Sequence, residues 1–154
     1  MKKVNKILAP TDCSDLSCVG VRYALEMARE LSAEVIIYHV VPLGEDWVPA
    51  RPEAERVRDL LTNESAALDR FIAEKFGDEV NLVEIRKRVE FGAAVTNIVE
   101  IAQREAVDMI IMATHGRTGF DHMLLGSVAE KVVARAHCPV LVIPATDRKN
   151  ARQA

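Results

Sequence analysis

The stretch Ala113-Thr-His-Gly-Arg-Thr-Gly-Phe-Asp-His-Met-Leu-Leu-Gly-Ser-Val-Ala-Glu-Lys-Val132 holds the residues whose types and spacing best suit ligand chemistry. It follows an apolar run, Met109-Ile-Ile-Met112, and ends in a helical pattern, so a buried strand passes through a glycine-containing loop to a helix N-terminus. The first turn of a helix carries unpaired N–H groups and the positive end of the macrodipole, which suits an anion. Gly116, Gly119 and Gly126 can take backbone angles closed to other residues and let main chain approach a ligand; Ser127 adds a hydroxyl at the helix start. The chemistry this suggests is binding of a phosphate-bearing ligand, a nucleotide. No Gly-x4-Gly-Lys-Ser/Thr occurs, and no Gly-x-Gly-x-x-Gly follows a strand, so the two common phosphate loops are absent. On local residues alone a plain connection accounts for the stretch equally well, its glycines making turns and Ser127 with Glu130 forming a capping box.

Elements that position this stretch alternate along the chain. Lys6 to Pro10, starting near Val4, has the pattern of a short buried strand ended by proline, and Ser14 with Asp15 suits a helix start. Leu16, Gly20, Tyr23, Ala24, Met27 and Leu31 recur at helical spacing and predict the core face of that helix. Ala33 to Val41 is a β-branched strand closed by Pro42, and residues 43–52 form a loop containing Trp47. A helix is expected over about 53–76, with Val57, Leu60, Leu61, Leu68, Phe71 and Ile72 inward. Leu82 to Val89 suits a more exposed strand near a sheet edge; after Gly92 a helix follows from about 94 to 105, with Val95, Ile98, Val99 and Ala102 inward. Asp108 to Ala113 is a continuous apolar strand, Ser127 to about His137 a helix with Val128, Val132 and Ala136 inward, and Pro139 to Pro144 a fifth strand. Strict β-α alternation implies an α/β fold, a parallel sheet covered by helices on both faces. Ligands in such sheets bind beyond the strand carboxyl ends where the strand order reverses, which places Pro10-Thr11-Asp12 beside Ala113 to Gly119.

Composition narrows the function classes. The 154 residues suffice for one domain, and 49% hydrophobic with 28% charged residues is ordinary for a globular protein. A formal charge of −3 and a pI near 5.8 argue against general binding to nucleic acid or anionic membrane, although Arg86-Lys87-Arg88 could make a local basic surface. No run approaches the length of a membrane span, the basic N-terminus lacks a signal-peptide core, and Cys13, Cys18 and Cys138 are odd in number without metal-ligand spacing. A cytoplasmic location with reduced thiols is expected. None of the four histidines has metal-ligand spacing; His39 is expected to be structural.

The combination resembles the universal stress protein family over nearly the whole chain. Lys6-Ile-Leu-Ala-Pro-Thr-Asp-Cys-Ser14 is similar to the family's opening strand and turn, and Glu34 to Val41 to its second strand. Met112-Ala-Thr-His-Gly-Arg-Thr-Gly119, Leu125-Gly-Ser-Val128 and Cys138-Pro-Val-Leu-Val142 match its C-terminal signature. ATP-binding members carry Gly-x2-Gly-x9-Gly-Ser/Thr; here Gly116 and Gly126-Ser127 keep the nine-residue spacing, and Ala113 replaces the first glycine. That substitution is tolerable at ordinary negative φ and crowds a phosphate if the backbone must approach closely.

The resemblance implies a Rossmann-like, adenine nucleotide α-hydrolase-like α/β/α sandwich over residues 1–145, strand order 3-2-1-4-5, with a polar tail at 146–154. It implies ATP as ligand, held by Pro10, Thr11, Asp12 and Val40 at the adenine and ribose end. Met112, Ala113, His115, Gly116, Arg117, Gly126, Ser127 and Val128 would surround the ribose and phosphates. Plainer roles compete at each position: Asp12 as a turn residue capping the first helix, Val40 as sheet core, Arg117 as a solvated arginine, His115 as a group holding the loop together. Mg2+ would arrive with the triphosphate, and AMP or cyclic AMP could fill the same site. The resemblance also implies a homodimer in which the fifth strands, Val140, Leu141, Val142 and Ile143, pair across a two-fold axis; Pro139 and Pro144 blunting the edge is the alternative.

The function expected is thus a nucleotide-binding regulatory protein of the stress response, with an unidentified regulatory partner. One arginine and no evident base leave a slow ATPase or autophosphorylating protein as the enzymatic alternative, and a nucleotide-free interaction module as another. A Gly126→Val change is expected to abolish nucleotide binding while leaving the fold intact.

Overall fold

The computed structural model describes residues 3–42, 54–115 and 125–145. Five parallel strands form one sheet: β1 (Lys6–Thr11), β2 (Glu34–Val41), β3 (Ile85–Phe91), β4 (Met109–Ala113) and β5 (Val140–Ile143). Their order is β3-β2-β1-β4-β5, so the order reverses between β1 and β4. The helices are α1 (Cys18–Leu31), α2 (Ala54–Phe76), α3 (Ala94–Arg104) and α4 (Ser127–Arg135), with a 3-10 helix at Gly77–Leu82 that the sequence reading did not anticipate. The loop at 43–53, Gly116 to Leu124 and the tail from Thr146 lie outside the described residues.

Side-chain alternation on the strands divides the core between the two faces. Ile7, Ala9, Val35, Ile37 and Ile111 pack with Val21, Leu25 and Ala28 of α1 and Leu68, Phe71, Ile72 and Phe76 of α2. Leu8, Ile36, Tyr38, Ile110 and Met112 pack with Ile98, Ile101 and Ala102 of α3 and Ala129 and Val132 of α4. Covered on both sides, β2 buries Val35 to His39 and β4 buries Ile110 to Ala113, which is why the strands read as largely apolar runs.

Several boundaries differ from the sequence expectation for identifiable reasons. Strand β1 does not end at Pro10 but continues to Thr11: Pro10 pairs with Tyr38 of β2, at a level where pairing with β4 has already stopped. Helix α1 begins at Cys18, not behind Ser14, because residues 12–17 make a separate turn. Ser14 donates its N–H and Oγ–H to Asp12 Oδ1 at 3.0 and 2.5 Å, Cys13 takes φ +61°, and Ser17 donates from its N and Oγ to Ser14 O at 3.1 and 2.8 Å. Asp15 therefore lies outside the helix and pairs with Lys75 at 2.6 Å.

The core face of α1 is also rotated from the expected one. Cys18, Gly20, Val21, Ala24, Leu25 and Ala28 are buried, whereas Leu16, Tyr23 and Leu31 are exposed. The rotation follows from Gly20, which lies so close to β4 that an added Cβ would sit 2.6 Å from Ala113 N and 2.9 Å from Met112 C. On α2, Leu68, Phe71, Ile72 and Phe76 are buried, but Leu60 is exposed and Val57 and Leu61 only half-buried. Strand β3 starts later than expected because Leu82 closes the 3-10 helix and is exposed; β3 does form a sheet edge. Its basic run is largely matched by acids: Arg86 pairs with Glu34 and Glu105, and Lys87 with Asp69. Inward residues of α3 are Ile98, Ile101 and Ala102, with Val95 and Val99 half-buried.

Among the described residues no helix is long and apolar enough to cross a membrane. Cys13, Cys18 and Cys138 are free thiols, and burial pushes the pKa of Cys18 and Cys138 up.

Candidate functional site

Past the pair Leu8–Ile110, β1 and β4 separate, while β1 stays paired with β2 as far as Thr11–His39. This divergence opens a cavity of about 420 Å³ at the carboxyl ends of the central strands. The sheet contributes Pro10, Tyr38, Val40 and Met112 from the face that carries α3 and α4; α3 closes one side with Ala94 and Ile98. Helix α4 points its N-terminus into the cavity through Gly126, Ser127, Val128 and Ala129. The β1–α1 turn adds Thr11, Asp12 and Ser17, and the end of β4 adds Ala113, Thr114 and His115.

Of the residues expected from the sequence, Pro10, Thr11, Asp12, Val40, Met112, Ala113, His115, Gly126, Ser127 and Val128 all line this one cavity. Gly116 and Arg117 lie outside the described residues. The sequence reading missed Ser17, Tyr38, Ala94, Ile98, Thr114 and Ala129. Tyr38 was within reach, since it shares a strand face with Val40 two residues on. Ala94 and Ile98 carry no such signal: their spacing is that of any core face, and only the packing of α3 over the sheet brings them to the cavity.

The polar groups around the rim are individually anchored. Thr11 accepts from Cys13 N at 3.0 Å, exchanges a hydrogen bond with Ser17 Oγ at 2.7 Å, and its carbonyl accepts from His39 Nδ1 at 2.9 Å. His39 is buried, with Nε2 3.7 Å from Glu64, and does structural work by tying the end of β1 to β2 and α2. Asp12 is half-buried; its Oδ1 anchors the turn through Ser14 rather than capping α1. Tyr38 is fully buried and its hydroxyl donates to Glu90 at 2.7 Å. Burial, followed by that bond to a carboxylate, raises the phenol pKa well above its ordinary value and keeps the ring neutral.

At the α4 end, Gly126 is the N-cap and Ser127 the first helical residue, with no side-chain capping bond among the described residues, so the alternative of a capping box between Ser127 and Glu130 is not what forms. Glu130 N–H donates to Gly126 O at 3.0 Å, which leaves the N–H groups of Ser127, Val128 and Ala129 ahead of the first intrahelical bond. His115 stands beside it, its Cα 3.6 Å from where a Cβ on Gly126 would lie. Its Nε2 is buried without a partner among the described residues, and its Nδ1 lies 3.0 Å from Thr114 Oγ1, which accepts from Ala145 N at 3.1 Å. If Thr114 donates its own proton to Nδ1, the ring proton sits on Nε2, which becomes a donor.

Two glycine-related expectations change. Ala113 is the last residue of β4 and is absent from the positive-φ residues, so alanine in place of the first motif glycine costs no backbone strain. Ala113 itself lines the cavity. Gly126 has φ −69°, open to any residue, but an added Cβ would meet Thr114 O at 2.5 Å, the same carbonyl that accepts from Gly126 N at 2.8 Å. Gly126→Val therefore collides with the backbone at the end of β4, and the expectation that it would leave the fold intact does not hold.

Comparison with known proteins agrees with this architecture. The model of the universal stress protein family matches residues 3–144. Universal stress protein MJ0531 of Methanocaldococcus jannaschii is 39% identical over 142 residues, covering 90% of this chain and 81% of the relative. MJ0577 from the same organism is 30% identical over 158 residues, covering 94% and 96%, and its solved structure superimposes with a TM-score of 0.67 over 95% of this chain and 99% of its own, at 29% identity. A universal stress protein solved in complex with cAMP shares the fold with a TM-score of 0.70 at 23% identity, covering 94% of this chain and all of its own length. With a family model spanning nearly its whole length and relatives at this level of identity, the chain belongs to the universal stress protein family.

Proposed function

We propose that this protein binds an adenine nucleotide in the cavity between β1, β4 and α4, and acts in the cytoplasm as a nucleotide-dependent regulatory homodimer of the stress response. The observation that carries the reading is the N-terminus of α4, without a side-chain cap among the described residues, opening into a cavity that also has an apolar wall. Tyr38, Val40, Ala94 and Ile98 suit a base, Asp12 in the middle suits a ribose hydroxyl, and the amides of residues 127–129 with His115 Nε2 suit phosphate oxygens. His115 Nε2, without a partner among the described residues, and the first turn of α4 fit an anion, and a neighbour of the same fold holds cAMP. Ala113 does not oppose it through backbone strain, since its φ is not positive. Mg2+ would come with a triphosphate and neutralise part of its charge. Turnover is expected to be slow: apart from the neutral Tyr38, Asp12 and His115 are the titratable groups among the described lining residues, and Asp12 Oδ1 is engaged by Ser14. Strand β5 forms the outer edge of the sheet and offers its backbone to a second copy.

Titration calorimetry of nucleotide-stripped protein with ATP and magnesium, and with AMP and cyclic AMP in parallel, tests the reading. Micromolar binding, about −8 kcal/mol, is expected for at least one of them. Asp12→Asn keeps an acceptor for the Ser14 turn but removes the charge, and should lower affinity about tenfold with little change in melting temperature. Absence of binding by all three nucleotides overturns the proposal.

A further inference from the structure

On the opposite face of the sheet from the nucleotide cavity, α1 and the segment Glu79–Val83 enclose a groove of about 590 Å³. Tyr23, Met27 and Leu31 stand at i, i+4 and i+8 along α1 and face Leu82 across the groove. Tyr23 is 40%, Leu31 39% and Leu82 63% exposed, whereas such side chains are ordinarily scattered singly on a surface. The charges on this groove are of one predominant sign. Glu26 and Glu30 form a second row on α1 beside the apolar one, and Glu79 stands across from them; Arg29 is the one basic lining residue and is paired with Glu30 at 3.3 Å. Glu79 is ion-paired with half-buried Arg22 at 3.5 Å, which also donates to Lys75 O at 2.8 Å with its guanidinium over the Phe76 ring; Glu26 has no ion pair among the described residues.

We propose that this groove docks a cationic amphipathic helix of a partner protein. An apolar row flanked by carboxylates is complementary to a helix that presents leucine-like anchors at i, i+3, i+4 and i+7 with Lys or Arg on either side. The groove is separate from the nucleotide cavity and from the free edge at β5, so the partner, the ligand and a second copy each have their own surface.

The test uses the full-length protein and two labelled synthetic helical peptides of about five turns, one built from Leu and Lys, the other from Leu and Glu, with fluorescence anisotropy as readout. Wild type should bind the Lys peptide and not the Glu peptide, in a salt-sensitive manner. The double variant Glu26→Lys, Glu30→Lys should lose the Lys peptide by about tenfold or more. Leu82→Ser should weaken it without altering the fold, because Leu82 is largely exposed. Glu100→Lys, an exposed change on α3, makes the same kind of charge change elsewhere and should leave binding unaltered. Equal loss in Glu100→Lys would mean that net charge alone attracts the peptide, and undiminished binding in the groove variants would place the peptide elsewhere; either overturns the proposal. A monomerising effect of Leu82→Ser in sedimentation would assign the groove to a second copy and overturn it too. Because the peptides are titrated without nucleotide, these outcomes are independent of whether the cavity binds ATP.

Discussion

Tyr38 shows how one side chain links the cavity wall to the stability of the fold. Its ring is fully buried and its hydroxyl donates to Glu90, which also pairs with Arg104. A phenol whose pKa is raised on folding contributes stability that is complete below its ordinary value of 10.0 and is lost as pH rises above it, because the unfolded chain then ionises while the folded one does not. Buried Cys18 and half-buried Cys138, both raised from 9.0, add a loss that begins above that lower value. Chemical denaturation from pH 8 upward should therefore show stability falling beyond about pH 10, and Tyr38→Phe should flatten that fall. At neutral pH the variant should cost about 1 kcal/mol, since Glu90 keeps Arg104 as a partner. An unchanged alkaline limb would show that Tyr38 does not govern it. None of this could be read from Tyr38 in the sequence, where it is simply a residue of a β-branched strand; the bond to Glu90 crosses from β2 to β3.

At the scale of elements, the close approach of α1 to β4 decides the geometry of the cavity rim. Gly20 has no Cβ to hold the helix away, and the atoms that an added methyl would meet belong to the Met112–Ala113 backbone, which cannot rotate aside. Gly20→Ala should destabilise the protein by about 1–3 kcal/mol and should also weaken nucleotide binding, because Asp12 and Ala113 sit at the two ends this contact brings together. Thermal melts and calorimetry on the same preparation check both; an unchanged melting temperature would show that the helix shifts at no cost. The five strands and four α-helices, in their succession along the chain, were legible from hydrophobic periodicity, as β2 and α3 illustrate; the 3-10 helix at Gly77–Leu82 was not. The face of α1 was not. Tyr23 and Leu31 fit the helical period as well as Val21 and Leu25, and only the backbone contact at Gly20 selects between the two stripes.

For the whole molecule, the edge at β5 carries the question of assembly. The carbonyls of Pro139 and Ile143 accept from Ile110 and Thr114 of β4, so by the two-residue alternation the backbone groups of Val140 and Val142 face outward. Val142→Pro removes an outward N–H while sparing the bonds to β4. Wild type is expected to sediment as a dimer, and Val142→Pro as a folded monomer by circular dichroism. A dimer that survives the substitution would place the interface on another surface.

The sequence by itself determined the parallel α/β architecture and the segments that meet beyond the strand ends, while the strand order came with the resemblance to the family. The first depend on local periodicity and on the handedness of βαβ crossovers; the second rests on motif residues that stand next to one another in the chain. Tertiary structure alone decided that α3 walls the cavity with Ala94 and Ile98, and that Gly126 is constrained by the Thr114 carbonyl. It also showed that Ala113 closes β4 without a positive φ and that an acidic-rimmed apolar groove lies on α1. Each of these depends on the distance between atoms far apart in the chain, and hydrophobic spacing records only that a residue is buried, not what it is buried against.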